Sequence, residues 1–414
     1  MRHWSRWTGG VSALLGLSSL SRVPAGYGIV LAGVKFLSTA LAPWIALLGG
    51  LSFWQGLRRR DRVALVTGLT GLVSAGYYTQ TVLKPRDPLA AAFGPQWRES
   101  LAPRQRERLK AVLRPVRQVR WQRDLTIGTA VTGAPLRADL WLPPAAITPS
   151  GVGLVFLHGS SWYYFDKDLF SRSLFRRLAG QGHVILDLAY TLAPQADLAD
   201  MLDEVRQAVR WMKTTGPQFG VNPERVVLGG GSAGGHLALL AAYTAAAPEQ
   251  RVRGVISWYG VSELLSEHEH LRRLSYLPAP SRSYRLWTWL LHRLRILRPE
   301  NTYTNAADLL PRLLGTPPYS NFHLYEAWSP LSYVGPDSPP TLLLHGQRDS
   351  FVPVEQSRYL YAALRANRVP VGFLEVPYAD HDFDLLAAEA GNPAFRAALP
   401  VVAGFLALMA RPDA

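Results

Sequence analysis

Val226-Val-Leu-Gly-Gly-Gly-Ser-Ala-Gly-Gly-His-Leu-Ala-Leu-Leu240 is an apolar run that breaks into glycines around one serine and then turns apolar again. Val226-Val227-Leu228 is short and rich in β-branched residues, which suits a buried parallel strand. Leu237, Ala238, Leu240 and Ala241 suit a helix packed on a sheet. Between them, Gly230-Gly231-Ser232-Ala233-Gly234 fits G-x-S-x-G, where flanking glycines let the backbone take a strained turn that pushes the serine hydroxyl into open space. The pentapeptide is a weak signal alone, and the strand before it and the helix after it give it weight. The stretch therefore reads as strand, nucleophile elbow and helix, with Ser232 as nucleophile.

The same alternation extends on both sides. Val119 to Leu125 and Leu136 to Leu142 form an opening antiparallel pair, and Gly153-Leu-Val-Phe-Leu-His-Gly159 is a buried strand running into a turn. A helix around Asp168 to Gly180, a strand His183 to Leu188 and a helix Asp203 to Lys213 lead to the elbow strand. Val252 to Trp258 and Thr341 to Gly346 are further strands, followed by a helix near Val354 to Ala366, a strand Val371 to Val376 and a helix from Pro393 to Ala410. Strand and helix alternating in this way predict an α/β fold, a mostly parallel sheet flanked by helices, over residues 118–410. The rhythm stops between Ser262 and Ser329, which is read as a helical cap inserted over the carboxyl edge. Its clearest part, Ser281 to Arg298, lines Leu286, Leu290, Leu294 and Leu297 on one face and reads as a lid helix.

A serine hydroxyl needs a base to take its proton, and the base needs a third group to fix its tautomer. His345-Gly-Gln-Arg-Asp349 places an aspartate just after one strand, and Tyr378-Ala-Asp-His381 places a histidine just after the next. Asp349 is read as the acid and His381 as the base, with Asp380 and Asp382 as rival acids and His236 as a packing residue. The oxyanion requires backbone N–H donors already aimed at it. One is assigned to Ala233, the other to the turn His158-Gly159-Ser160-Ser161-Trp162, with Ser160 and Ser161 as first choice, Gly159 as alternative and Trp162 as a substrate contact. No paired metal-ligand spacing and no G-x-G-x-x-G opening the domain is present, so neither a metal nor a dinucleotide cofactor is expected.

Taken together, His158-Gly159 with Trp162, Tyr190-x-Leu-Ala-Pro194, Gly-Gly-Ser232-Ala-Gly-Gly-His236, His345-Gly-x-x-Asp349-x-x-Val-Pro353 and His381-x-Phe383 give the chain a family resemblance. From about Asp139 onward it resembles the carboxylesterase and lipase branch of the α/β-hydrolases, which includes hormone-sensitive-lipase-like esterases and kynurenine formamidase. The membrane-preceded layout is similar to that of envelope-associated esterases of mycobacteria and related actinobacteria. The resemblance implies hydrolysis of short or medium acyl esters through an acyl-serine. Family members usually carry HGGG or HGG before the aromatic residue, whereas Ser160 and Ser161 stand here in place of glycines. A turn needing positive φ at either serine would strain or reshape the oxyanion hole.

The chain has 414 residues, more than one domain usually needs, and the surplus is N-terminal. Phe36 to Leu57 and Val63 to Leu83 lack charge and are each long enough to cross a ~30 Å hydrocarbon core, so residues 1–85 are read as a membrane region with two spans. Val11 to Leu20 is too short to span and is read as signal-like or interfacial. Residues 86–117 form a basic linker. Net charge is +14, and its concentration in the flanks and linker fits anionic lipid headgroups, not nucleic acid. Arg58-Arg59-Arg60-Asp61-Arg62 between the spans favours the cytoplasm, which puts the catalytic domain on the extracytoplasmic side of a multi-pass plasma-membrane protein, while Lys84, Arg86, Arg98 and the cluster Arg104, Arg106, Arg108 and Lys110 after the second span pull the other way. Cysteine is absent, which excludes disulfides and thiol chemistry. The expected protein is a membrane-anchored serine esterase acting on a small-molecule or lipid ester. An arylformamidase or peptidase using the same triad, and a catalytically silent membrane-bound binding module, are the alternatives.

Overall fold

The computed structural model describes residues 2–22, 28–114, 116, 118–159, 161–168, 170–275, 289, 293 and 306–412. The chain forms two compact units. The smaller comprises Met1–Arg86, His345–Phe351 and Glu375–Ala398, and the larger comprises Asp87–Leu344, Val352–Leu374 and Leu399–Ala414.

In the smaller unit, α1 (Arg2–Leu20), α2 (Gly28–Ala40), α3 (Ala42–Arg59) and α4 (Arg62–Leu83) precede the two loops that follow the last strands. The buried stripe of α1 consists of small residues, with Ser5, Ser12 and Ser19 at 1% exposure or less. It faces the glycine side of α4, where a Cβ on Gly71 would stand 2.4 Å from Ser12 Oγ. Along the same glycine side α4 meets α3 just as closely, for a Cβ on Gly68 would lie 2.4 Å from the Phe53 backbone nitrogen. Large apolar side chains point outward instead, among them Trp7, Leu14, Leu51, Trp54, Val66 and Val73, all roughly half exposed or more. This inverts the pattern of a helix bundle in water, which buries its large apolar side chains.

The stretch expected to cross a membrane as one helix, Phe36 to Leu57, is two helices. They bend by 77° at Leu41, where Pro43 opens α3. Proline suits a first helical turn but removes the N–H that would continue the preceding helix. No single helix among the described residues is long and apolar enough to cross a membrane, although this bent pair meets the length and composition together. Val11 to Leu20 belongs to the longer α1.

The larger unit begins with α5 (Pro88–Phe93) and α6 (Pro103–Lys110) and then builds the sheet. Its strands are β1 (Arg120–Thr129), β2 (Pro135–Leu142), β3 (Gly151–Leu157), β4 (Val184–Ala189), β5 (Val221–Gly231), β6 (Gly254–Trp258), β7 (Thr341–Gly346) and β8 (Val371–Val376), ordered β1-β2-β4-β3-β5-β6-β7-β8. β1–β2 and β2–β4 are antiparallel, and β4, β3, β5, β6 and β7 run parallel. Val226 to Gly231 and all of β6 and β7 are buried, as a parallel sheet covered on both faces requires. His345-Gly346 of β7 and Glu375-Val376 of β8 belong to the smaller unit.

Two helices start elsewhere than their periodicity suggests. α7 (Arg172–Gly180) begins after Asp168, which sits at φ 68° with its N–H donated to Asp187 Oδ2 at 2.6 Å. α8 (Leu198–Thr214) begins before Asp203 because Asp197 and Asp200 cap each other's backbone N–H groups at 2.9 and 3.1 Å. After α9 (Ala233–Tyr243), the described cap contains α10 (Leu264–Ser275), α11 (Leu309–Leu314) and α12 (Phe322–Ala327). The lid helix expected over Ser281 to Arg298 lies outside the described residues apart from Trp289 and Arg293. Gln356, in the first turn of α13 (Glu355–Ala366), ties down the start of the cap. Its Oε1 accepts the N–H groups of Ser262 and Glu263 at 2.9 and 2.8 Å, and its Nε2 donates to the Glu263 carbonyl at 3.0 Å. The last helix is α14 (Pro393–Met409).

Candidate active site

Ser232 stands between β5 and α9 at φ 53°, ψ −121°. A non-glycine residue held there stores roughly 1–3 kcal/mol, so its surroundings must over-determine it. They do so through the backbone. Ser232 N donates to the Trp258 carbonyl at 2.9 Å, and the Ser232 carbonyl accepts from His236 N at 2.9 Å. The flanking glycines are needed for close approach, since a Cβ on Gly234 would lie 2.1 Å from the Leu157 carbonyl oxygen and one on Gly230 2.5 Å from Gly234. This contact sets the start of α9 against the end of β3. Ser232 remains partly exposed.

The turn after β3 is drawn to the same place. A Cβ on Gly159 would stand 3.3 Å from Ser232 Cβ, and Ala233 opens α9 beside the serine. Tyr190 steadies the turn by stacking on His158, with centroids 4.6 Å apart, and donating its hydroxyl to the His158 carbonyl at 3.0 Å. Burial pushes His158 down to about 4, so the ring is neutral. Ser161 and Trp162 take φ 48° and 62°, the left-handed region that favours glycine, while Ser160 lies outside the described residues. Trp162, assigned to substrate from the sequence, is 2% exposed with its ring edge-on to His236 at 5.2 Å. It is packed as a wall of the turn. His236 is buried too, its Nε2 2.8 Å from the Trp328 carbonyl, and burial lowers it to about 4.

In the smaller unit the loops after β7 and β8 are stitched together. Gln347 N donates to Val376 O and Arg348 N to Ala379 O, each at 2.9 Å. His381 Nδ1 lies 2.7 Å from Asp349 Oδ2, and His345 Nε2 lies 3.3 Å from that same oxygen. The other oxygen, Asp349 Oδ1, accepts from Phe351 N at 2.9 Å. Neither rival acid holds the imidazole in this way. Asp382 Oδ1 is 4.0 Å from His381 Nε2, and Asp380 Oδ1 accepts backbone and hydroxyl donors instead.

Burial alone would raise Asp349, but the charge of His381 and hydrogen bonds from both histidines outweigh it and hold the carboxyl well below its ordinary value. Burial pulls His381 down, yet the charges of Asp349, Asp382 and Asp380 outweigh it and raise the imidazole to about 9. Asp349 thus stays ionised and keeps the proton of His381 on Nδ1, leaving Nε2 to act as a base when neutral. Sequence reading missed the role of His345. Its signal was in view, four residues before Asp349 on the same strand end. Among the described residues no cluster of histidine and carboxylate groups is arranged to hold a metal ion.

A mostly parallel sheet with an antiparallel opening, a serine elbow after its fifth strand and a cap before its seventh define an α/β-hydrolase fold. A protein-family model described as BD-FAE matches residues 138–364, more than half of the chain, and the chain belongs to that family. Among curated proteins it is similar to the probable carboxylic ester hydrolase LipM of Mycobacterium tuberculosis, 28% identical over 66% of this chain and 60% of the relative. Esterase LipC of the same organism is 29% identical over 62% of this chain and 59% of the relative. The matched region thus spans about three fifths of those relatives. Among solved structures, esterase B of Lactobacillus rhamnosis is 25% identical over 71% of this chain and 91% of that one, with a TM-score of 0.50. A truncated carbohydrate esterase from gut microbiota shares the fold at 16% identity and a TM-score of 0.51, covering 72% of this chain and 99% of that one.

Proposed function

We propose that this chain is a membrane-anchored serine esterase that cleaves short to medium acyl esters, lipid esters included, with Ser232, Asp349 and His381 as its triad. The observation that carries the reading is the left-handed backbone of Ser232, a strain without structural need unless the hydroxyl must be presented. The Asp349–His381 pair supports it, as do the family and the named esterases among the relatives.

In the reaction, His381 Nε2 takes the proton of Ser232 Oγ as the oxygen attacks the ester carbonyl. The tetrahedral oxyanion is met by the backbone N–H of Ala233 and one from the turn at Gly159, Ser160 and Ser161. His381 then gives its proton to the departing alkoxide, which leaves as the alcohol and an acyl-serine. Water repeats the sequence, releasing the acid and restoring the serine.

Membrane anchoring is supported by the outward apolar faces of α1, α3 and α4 and by aromatic residues near both ends of the bundle. Trp4, Trp7 and Trp54 lie near the Arg6–Asp61 ion pair, and Trp44 and Tyr77 lie at the opposite helix ends. With the arginine-rich α3–α4 loop in the cytoplasm, the catalytic residues lie outside. Protease added to intact cells should then cut the cap but spare that loop, and the reverse pattern would contradict this sidedness. The esterase reading is tested with p-nitrophenyl esters of two to sixteen carbons beside matched anilides, using the detergent-solubilised full chain. Ester turnover that disappears in Ser232→Ala supports it. Anilide turnover alone would transfer the protein to amide hydrolysis.

A further inference from the structure

Lys35 is a cation with no exposure, and no other charged residue stands on α2. Its Nζ lies 3.1 Å from Asp380 Oδ2, the polar contact that each of these two buried atoms makes among the described residues. The other oxygen of that carboxylate is fully engaged. Asp380 Oδ1 accepts Ser350 N and Ser350 Oγ, both at 2.8 Å, and His381 N at 2.9 Å. Ser350 directly follows the acid Asp349, and His381 is the base. One carboxylate therefore binds the backbone of the acid loop and of the base loop together, and an N-terminal helix neutralises it from behind.

Other contacts in the same unit converge on these loops. Trp44 Nε1 donates to the Ala390 carbonyl at 2.7 Å, Tyr77 OH lies 3.4 Å from Tyr378 OH, and Arg348 donates to the Leu20 carbonyl while its guanidinium covers the Tyr378 ring at 4.4 Å. Lys35 differs from these in being a buried charge. A buried carboxylate without a counter-ion either protonates or distorts its surroundings, and in both cases its hydrogen-bond geometry changes.

We propose that Lys35 and Asp380 are positioning residues for the reaction. The buried ion pair clamps the Asp349 and His381 loops in register, so the N-terminal helices are part of the catalytic apparatus as well as an anchor. The proposal rests on the triad reading and deepens it. The groups facing His381 are Asp349, with His345 behind it, Asp380 and Asp382, while Lys35 and Arg348 supply the nearby positive charge.

The test compares Lys35→Met, Asp380→Asn, the double variant and Lys35→Arg in the full chain. It follows ester hydrolysis against pH and, independently, the titration of the His381 imidazole by NMR, assigned with His381→Gln. Removing the cation should move the His381 titration and the acid limb of kcat/KM upward by roughly 0.5 to 1 in pH, and removing the carboxylate should move both downward. Lys35→Met should lower kcat about tenfold or more with KM changed far less, since loop register bears on the chemical step. The double variant loses both charges and should lie nearer wild type than either single change, and Lys35→Arg should retain the wild-type profile. Wild-type kcat and titration in folded Lys35→Met, or a double variant no better than the worse single one, would overturn the clamp. If Lys35→Met does not fold, the double variant decides by the same criterion. The NMR titration keeps the two readings separate, because the opposed shifts stand even if hydrolysis proves independent of Ser232.

Discussion

At Asp349 two histidines converge on one carboxylate oxygen, and this fixes the sign of the pH dependence. His381 works as a base only when neutral, and its value is raised from 6.5 to about 9, so kcat/KM should rise with pH through an acid limb above 6.5. Asp349→Asn removes the largest cause of that rise. The limb should move down and turnover should fall by roughly 10²- to 10⁴-fold, which a pH–rate profile would show, whereas an unchanged profile would exclude Asp349 as the orienting acid. Ser232, Asp349 and His381 could be nominated from the sequence as a candidate triad because each sits in a short motif just after a strand. Asp380 was legible only as a rival acid. Its pairing with Lys35 spans most of the chain, and no local pattern encodes it. Trp162 shows what the sequence does not encode, because an aromatic residue after the oxyanion turn has the same signature whatever it packs on, and its ring here stands edge-on to His236.

At the scale of elements, sheet and elbow followed from periodicity, because a strand buried on both faces is apolar throughout and its run ends at glycines. The N-terminal helices were harder to read. Hydropathy reports how apolar a stretch is, but not which side it buries, and α1, α3 and α4 bury serine and glycine while presenting leucine and tryptophan outward. The break at Leu41 was equally hidden, since an apolar run reads the same on both sides of a bend. Close packing gives a contrast within one helix. A Cβ on Gly68 would reach the Phe53 backbone at 2.4 Å, whereas one on Gly76 meets nothing within 4 Å. Gly68→Ala should therefore cost about 1–3 kcal/mol through separation of α3 from α4. Gly76→Ala should be neutral or stabilise by up to about 1 kcal/mol. Thermal unfolding in detergent measures both, and equal effects would contradict the packing described.

At the scale of the molecule, the smaller unit is assembled from three chain segments, and the helices before Arg86 share it with the loops that carry Asp349 and His381. Removing residues 1–86 should therefore lower turnover about tenfold or more and end membrane association, because the truncation strips the Asp380 counter-ion along with the apolar faces. A soluble, fully active truncation would reduce the helices to a tether. The full chain should remain in the membrane fraction through an alkaline carbonate wash, and release by that wash would contradict anchoring.

The central claim is that Ser232 is an activated nucleophile. It is tested most directly by treating the folded full chain with a fluorophosphonate and mapping the adduct by mass spectrometry. The account predicts one adduct on the peptide that carries Ser232, absent from Ser232→Ala and formed far more slowly in His381→Gln. A folded chain that stays unlabelled, or is labelled at another residue, would contradict it.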